Sequence, residues 1–420
     1  MTTQHLSETF QKAKIAKIAS KFLSGTSSEQ RHEALSKIKQ QIQDHSDKIL
    51  EANSKDAALS GEKGVTEAYL DRLTLTPERL KSLISMIEDL IQLPDPLFLV
   101  KEQSERPNGL MIQHVTVPLG VLGIIYEARP NVTVDTAALA LKTGNAILLR
   151  GSSSTIHTNR ALVYAMQEGL KNAGFPKEVI QLIEDTDRTA LNDLCHARGL
   201  IDVLIPRGSE QLIRKVTDQA VVPVIETGAG NCHVYIDASA EPEMAINIAV
   251  DAKTQRPSVC NACETILVSA DWFKKHGKEL LKALHTKDVV IHGDNSVLKE
   301  SEQVQIASEE DWKTEYLSLD VAMKIVSGVD EAIEHIARYS TNHSESIISN
   351  ESENVNRFFS KVDAAALYHN ASTRFTDGFE FGYGAEVGIS TQKLHVRGPM
   401  GLPALTTTKA LIKGNGQTKA

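Results

Sequence analysis

The run Lys253-Thr254-Gln255-Arg256-Pro257-Ser258-Val259-Cys260-Asn261-Ala262-Cys263-Glu264 sets a cysteine after two cations and before an apolar stretch. Nearby cations favour the thiolate, the nucleophilic form of the side chain, so Cys260 is a candidate for covalent catalysis. A lone cysteine is equally at home as a small buried hydrophobe, and the residue alone does not choose. Cys260 and Cys263 also make a C-x-x-C, the spacing of a redox pair or of half a zinc site. Zinc would need a second pair of ligands, and Cys195-His196 and Cys232-His233 are adjacent residues that chelate one ion poorly. A thioredoxin-type dithiol opens a helix, whereas this one precedes a strand-like run. No metal ligands are assigned.

Four other segments have chemistry in them. Glu226-Thr227-Gly228-Ala229-Gly230-Asn231 follows an apolar run, and its glycines let backbone approach a ligand or simply form a turn. Arg207-Gly208-Ser209 stands between an apolar run and a helical one, a candidate phosphate cradle at a helix N-terminus. Arg150-Gly151-Ser152-Ser153-Ser154 ends another run in the same way. There a cation and serines, in place of an acid for the ribose 2′-hydroxyl, would suit a 2′-phosphate and lean towards NADP over NAD; a plain polar surface loop has the same composition and is the simpler reading. In Arg129-Pro130-Asn131, the asparagine either caps a helix starting near residue 133 or donates its amide to a developing oxyanion.

Placing these segments is the task of alternating elements. The first hundred residues read as helical, with Phe10, Ile15, Ile18, Ala19 and Phe22, and later Leu80, Leu83, Ile84, Ile87 and Ile91, at helical spacing, and Gly25 and Pro94 as stop signals. From Leu119, short apolar runs (119–125, 146–149, 179–183, 201–205, 221–225) alternate with helical stretches (133–142, 155–171, 188–197, 210–219). That alternation predicts parallel strands joined by right-handed crossovers, a doubly wound α/β sheet. A second α/β pattern follows Glu264, with runs at 265–268, 289–291, 346–349 and 364–368 and helices at 271–284 and 330–339. The stretch 253–261 is the expected hinge, and the cleft beside it the expected site. Residues 110–117 and 402–412 alternate apolar and polar residues without an obvious sheet, so pairing with a second subunit is expected.

Composition narrows the function. The 420 residues are 41% hydrophobic and 24% charged, enough for a sizeable core in two or three domains. The 45 Lys and Arg are scattered among 54 Asp and Glu, a net charge of −9 that does not suit a nucleic-acid partner. No apolar stretch is long enough to span a bilayer, Met1 to Glu8 lacks a secretory pattern, and four cysteines are too few for a disulfide framework, so a cytoplasmic protein without a membrane partner is expected.

Taken together these segments resemble the aldehyde dehydrogenase superfamily, specifically its branch acting on glutamyl phosphate. The resemblance runs through Val117-Pro118-Leu119-Gly120-Val121, Tyr126-Glu127-Ala128-Arg129-Pro130-Asn131, Leu141-Lys142-Thr143-Gly144-Asn145, Arg150-Gly151-Ser152, Ile205-Pro206-Arg207-Gly208, Glu226 to His233, Lys253 to Asn261 and His395-Val396-Arg397-Gly398-Pro399-Met400-Gly401. It implies two doubly wound α/β domains plus a small β element for oligomerisation. The divisions would be 1–105 and 119–255 for an NADPH-binding domain, 256–385 for a catalytic domain, and 106–118 with 386–420 for the oligomerisation element. It implies NADPH-dependent reduction of L-glutamyl 5-phosphate to glutamate 5-semialdehyde, the second step of proline biosynthesis. A homo-oligomer is implied, and a transient contact with glutamate 5-kinase is conceivable. By the same resemblance Cys260 is the nucleophile and Asn131 the oxyanion donor. Arg150, Gly151, Ser152, Ser153, Arg207, Gly208, Ser209, Glu226 and Gly228 would face the cofactor. Glu127, Arg129, Arg256, His395 and Arg397 are candidates for the substrate's charged ends. Glu226 stands where hydrolytic relatives have a base, a role a phosphate leaving group does not need.

Overall fold

The structure, a computed structural model, describes residues 6–419; Met1 to His5 of the leader reading lie outside it. The chain divides into two compact units, one of residues up to Thr227 with 382–388 and 400–420, the other of 228–381 and 389–399. The division therefore falls at Thr227/Gly228 rather than in 253–261, and residues 228–255, expected with the first domain, build the second. The small β element is not separate, since both of its parts pack within the first unit except residues 389–399.

The first unit opens with five helices: α1 (Glu8–Leu23), α2 (Ser28–Asp44), α3 (Ser46–Gly61), α4 (Glu67–Leu73) and α5 (Pro77–Gln92). Ser27 and Gln30 form a reciprocal capping box on α2, and Thr76 caps α5 ahead of Pro77. In α1 the expected apolar face holds at Ala19 and is otherwise mostly turned outward. Ala13, Ala16, Ala19 and Leu23 are buried, whereas Ile18 is 70% exposed and Ile15 and Phe22 are also exposed. The alanine stripe wins because it lets the helix backbone approach the sheet, where larger side chains would hold it off.

Strands β1 (Val100–Glu105) and β2 (Met111–Pro118) pair antiparallel. The C-terminal strand Thr406–Lys413 pairs along the other edge of β2, from Pro118 to Met111. The two segments expected to lack a sheet thus satisfy each other, with β1 as an unforeseen third strand.

Next come β3 (Val121–Tyr126), α6 (Pro130–Lys142), β4 (Ala146–Arg150), α7 (Ile156–Asn172), β5 (Ile180–Leu182), α8 (Arg188–His196), β6 (Val203–Arg207) and α9 (Glu210–Gln219). They give a parallel sheet in the order β5-β4-β3-β6. The run 221–225 is not a strand: it touches β6 at a single bridge, Leu204 to Val224, because Pro223 cannot continue a ladder. Buried Lys142 donates to the carbonyls of Ile91 (3.1 Å) and Leu93 (2.7 Å), and Asn145 ties Gly120 to Leu405. The Lys-Thr-Gly-Asn segment is therefore scaffold.

The second unit contains β7 (Cys232–Ile236), α10 (Pro242–Thr254), β8 (Cys263–Ser269), α11 (Ala270–His285), β9 (Val290–Gly293), α12 (Asn295–Leu298), β10 (Gln305–Ile306), β11 (Asp320–Val326), α13 (Val329–Tyr339), β12 (Ser344–Ile348), α14 (Ser352–Lys361) and β13 (Ala366–His369). All seven strands are parallel, ordered β10-β9-β11-β8-β7-β12-β13. Strand alternation splits the core into two faces: Val234 and Ile266 pack with Trp272, Leu280 and Met323, while Tyr235 and Leu267 pack with Ile336 and Phe358. Each such fully buried side chain contributes about 1.5–3 kcal/mol. Strands β7, β10 and β11 and helices α10, α12 and α14 escaped the sequence reading. No helix among the described residues is long and apolar enough to cross a membrane.

Candidate active site

Cys260 stands on the turn between α10 and β8, in a connection whose conformation is set from three sides. The Ala262 amide closes the turn on the Val259 carbonyl at 3.1 Å. The Asn261 amide donates to the carbonyls of Arg374 (3.2 Å) and Thr376 (2.9 Å), and Thr373 Oγ1 donates back to the Asn261 carbonyl at 2.7 Å. From the third side comes Gly230, so close that an added Cβ would land on the Cys260 carbonyl oxygen. The same carbonyl accepts from the Cys232 thiol at 3.2 Å.

This contact explains the Glu226–Asn231 segment differently from a ligand cradle. Gly230 lets backbone approach the backbone of the Cys260 turn, and Gly228 makes room for Thr391, whose Cγ2 would lie 2.6 Å from a Cβ. The segment is anchored by Asn231, whose amide donates to the Trp312 and Tyr339 carbonyls at 2.8 Å each, and by Gly230, whose N–H reaches Glu315 at 2.7 Å. Glu226 is half-buried just before it.

The two cysteines of the C-x-x-C are separated by environment. Cys260 is partly exposed, whereas Cys263 is fully buried in β8, donates to the Thr265 carbonyl at 3.2 Å, and has its thiol pushed up to about 12, chiefly by burial. Burial likewise pushes the Cys232 thiol up. Around the Cys260 turn two arginines stand out. Arg374 is half-buried, gives Nε to Gln255 Oε1 at 2.9 Å, and lies near enough to both Cys260 and Arg256 to feel their charges. Neither arginine pairs with a carboxylate among the described residues. Arg374 was not found in the sequence, because a cation 114 positions beyond the cysteine belongs to no local pattern; its place just after a parallel strand was the available signal. Beneath the turn, Lys253 and Glu264 form a wholly buried pair at 2.6 Å, with the Glu264 carboxyl raised to about 7 by burial.

In the first unit the remaining candidates cluster at the carboxyl ends of β3, β4 and β6. Helix α6 begins at Pro130, so Asn131 lies inside its first turn and does not cap it. Its exposed amide instead donates to Asp135 Oδ2 at 3.0 Å. The Asp135 carboxyl is pushed up to about 7, mainly by burial, with Asn131 and Arg207 opposing. The turn into α6 holds Ala128 at φ 32°, a left-handed conformation costing of order 1–3 kcal/mol for a residue with a side chain.

Ser209 caps α9, and the anion at its N–H is Glu127, whose Oε2 accepts at 2.9 Å. A phosphate at this helix end would have to displace that carboxylate, and Gly208 is small because Glu127 passes over it. Gly151 similarly gives way to Asn159 and Tyr126. Arg150 donates Nη2 to the Thr186 carbonyl at 2.8 Å, and Ser152 Oγ accepts from the Ser154 N–H at 3.2 Å, leaving Ser153 exposed. Both Arg150 and Arg207 keep a buried Nε without a partner. Of the candidates for the substrate's charged ends, Glu127 is engaged by Ser209, and Arg397 pairs with Asp363 at 2.6 Å; His395 is exposed. Arg129 precedes Pro130 as the residue before α6, and Arg256 is exposed beside Cys260.

The family model described as "Aldehyde dehydrogenase family" matches residues 2–301. The chain is 52% identical over 415 residues to a γ-glutamyl phosphate reductase of Geobacillus sp. (strain WCH70), covering 99% of this chain and all of that one. It is 55% identical over 393 residues to that of Bacillus cereus (strain B4264), covering 94% and 95%. The crystal structure of γ-glutamyl phosphate reductase from Thermotoga maritima superposes with a TM-score of 0.96 at 44% identity, covering 99% of this chain and all of that one. With its paired α/β sheets and its cysteine turn, the chain belongs to the aldehyde dehydrogenase family and, within it, groups with the γ-glutamyl phosphate reductases.

Proposed function

We propose that this protein reduces L-glutamyl 5-phosphate to L-glutamate 5-semialdehyde and phosphate through a thioester on Cys260, the step that feeds proline synthesis from glutamate. The observation carrying this reading is the Cys260 turn: the one partly exposed cysteine among the described residues, held by backbone contacts and placed near two arginines that no described carboxylate pairs, in a chain more than half identical to reductases of that name.

The nucleophile's work follows from its surroundings. Arg374 and Arg256 favour the Cys260 thiolate, which attacks the acyl carbon; the S–C bond forms, the C–O bond to phosphate breaks, and phosphate leaves with the electron pair. The backbone N–H of Cys260 and the Asn131 amide, aligned by Asp135, are the donors proposed for the oxyanion. A nicotinamide cofactor, when bound, supplies the hydride that brings the acyl group to the aldehyde level. Its fit is supported by the buried, unpartnered Nε atoms of Arg150 and Arg207 at the carboxyl ends of parallel strands, where such sheets take anionic ligands. Arg150 with the exposed Ser153 would hold a 2′-phosphate, hence NADPH. Cys260 keeps the acyl group bound throughout, and leaves as thiolate when the aldehyde is released. No base is required of Glu226, since phosphate departs without one.

The unpaired edge of the strand Thr406–Lys413, exposed along nearly all its length, is proposed to pair with a second copy of the chain. The chemistry is tested in reverse, following NADP reduction by glutamate 5-semialdehyde with and without inorganic phosphate. Phosphate-dependent NADPH formation that is lost in Cys260→Ala is expected. Oxidation without phosphate would overturn the reading in favour of a hydrolytic dehydrogenase using Glu226.

A further inference from the structure

Two arginines beside a nucleophile need a reason, because like charges at close range repel. Arg374 is fixed there by its backbone: its carbonyl accepts from Asn261, the next residue after Cys260, and the neighbouring Thr373 holds the Asn261 carbonyl. Its side chain is then aimed by one bond, Nε to Gln255 at 2.9 Å. That leaves both terminal nitrogens, four N–H donors, without a protein acceptor. Arg256, next to Gln255, has no hydrogen-bonded or ionic partner among the described residues and stands exposed. Burial and the neighbouring Arg256 hold the Arg374 pKa below its ordinary value, while Cys260 acts in the opposite direction, so the two guanidinium groups feel one another without a described carboxylate bonded to either. Asp377 and Asp251 act on Arg374 only at a distance, without a bond. The other arginines and acids considered for substrate, Arg397 and Glu127, already have partners.

A doubly charged tetrahedral oxyanion satisfies this arrangement better than a carboxylate. It offers several acceptor oxygens to two planar donor forks and offsets both charges, whereas one carboxylate is used up by a single fork. The group that must sit next to Cys260 during attack is also the one bonded to the acyl carbon. We propose that Arg374 and Arg256 together form the seat of the phosphoryl group that Cys260 displaces, and of inorganic phosphate in the reverse direction. This rests on the acyl-phosphate reading above. When the C–O bond breaks, its electron pair goes to a phosphate oxygen held by the two guanidinium groups, which stabilises the departing charge without a proton.

The test uses the full-length protein and two readouts. In the reverse assay, Arg374→Gln should raise the KM for inorganic phosphate about ten- to a hundredfold, the range for losing charge-assisted bonds, with the KM values for semialdehyde and NADP little changed. Arg374→Lys should recover part of the loss. Separately, inorganic phosphate should slow alkylation of Cys260 by iodoacetamide in the native protein and not in Arg374→Gln. Arg256→Gln, exposed and without packing to lose, repeats both measurements if the Arg374 variant does not fold. A semialdehyde KM that rises while phosphate KM stays fixed would overturn the proposal and assign the pair to the substrate carboxylate. Unchanged phosphate KM and unchanged protection would overturn it outright. Absence of phosphate-dependent turnover in the native protein would instead strike the acyl-phosphate reading, and the protection experiment would still decide whether the seat exists.

Discussion

The turn bearing Cys260 and the first turn of α6 bearing Asn131 are both proposed to act on the same carbonyl, yet they are held by different physics. The cysteine is placed by contacts that keep one protonation state around neutral pH: Gly230 against its carbonyl, the Cys232 thiol, pushed up by burial, on the same oxygen, Asn261 locked between the carbonyls of Arg374 and Thr376. Asn131 is exposed, follows a strained Ala128, and has its amide oriented by one carboxyl that is half-buried and raised to about 7. The comparison teaches that the proposed bond-forming atom is secured by backbone geometry, while its proposed supporting donor hangs on one titratable carboxyl.

Breaking the first of these should have the largest effect. Gly230→Ala forces a methyl into the Cys260 carbonyl oxygen, and relief must come from backbone because no flexible side chain intervenes. Stability should fall by at least the ~1–3 kcal/mol of ordinary overpacking, and activity should be lost, with Cys260 alkylation rates altered. A variant with native activity and melting temperature would show that the turn is not held by this contact. Next in size, Asn131→Ala should lower kcat about 10²- to 10³-fold with little change in KM and in melting temperature, the signature of a donor used in the transition state. An effect on KM alone would remove Asn131 from the oxyanion role.

The contrast also explains how much was legible beforehand. That Cys260 stands on a turn ahead of a strand and Asn131 just beyond β3 was legible because their neighbours in sequence are also their neighbours in these strand–turn–helix units, and α9 was found to the residue because Ser209 caps it and its apolar spacing is regular. The helical N-terminus was legible as helix but not as to face, since small residues in α1 bury better than large ones where the backbone must come close. Strands β7 and β11 hid because a central parallel strand lined with His233, Cys232 or Lys324 does not read as an unbroken apolar run. Whether the glycines of Glu226–Asn231 open to a ligand or form a turn stayed undecided, because sequence shows that a side chain is missing, not what fills its place. Arg374 needed the fold.

The titratable half of the comparison can be sharpened through Asp135. Its folded-state pKa is raised above the ordinary 3.8 to about 7, so its contribution to stability is fully present below pH 3.8 and is lost as pH rises through about 7. Asp135→Asn removes that titration. The melting temperature of the native protein should therefore drop between pH 5 and 8 by more than that of Asp135→Asn. The same variant should cut kcat severalfold, since an amide facing an amide no longer dictates which way Asn131 points. Identical pH dependence of melting in the two proteins would show that Asp135 is ionised throughout.

The smallest effect belongs to the other cysteine of the pair. Cys263 shares a C-x-x-C with the nucleophile, and a resolving thiol would have to be reachable and partly ionised at neutral pH. It is neither: its side chain is packed among Val234, Ile266 and Trp272, and its thiol is held near 12. Exchange to alanine deletes only a sulfur from that core, a small cavity costing about 1 kcal/mol, with kcat kept within a factor of about two. Titration of the native protein with a thiol reagent under non-denaturing conditions should accordingly label Cys260 fast and Cys263 only on unfolding. If Cys263→Ala instead abolished turnover, or made Cys260 oxidise irreversibly where the native protein recovers with dithiothreitol, the thiol at 263 would be acting on its neighbour after all. The barrier between the two sulfurs would then be a matter of motion in the turn that Gly230 holds.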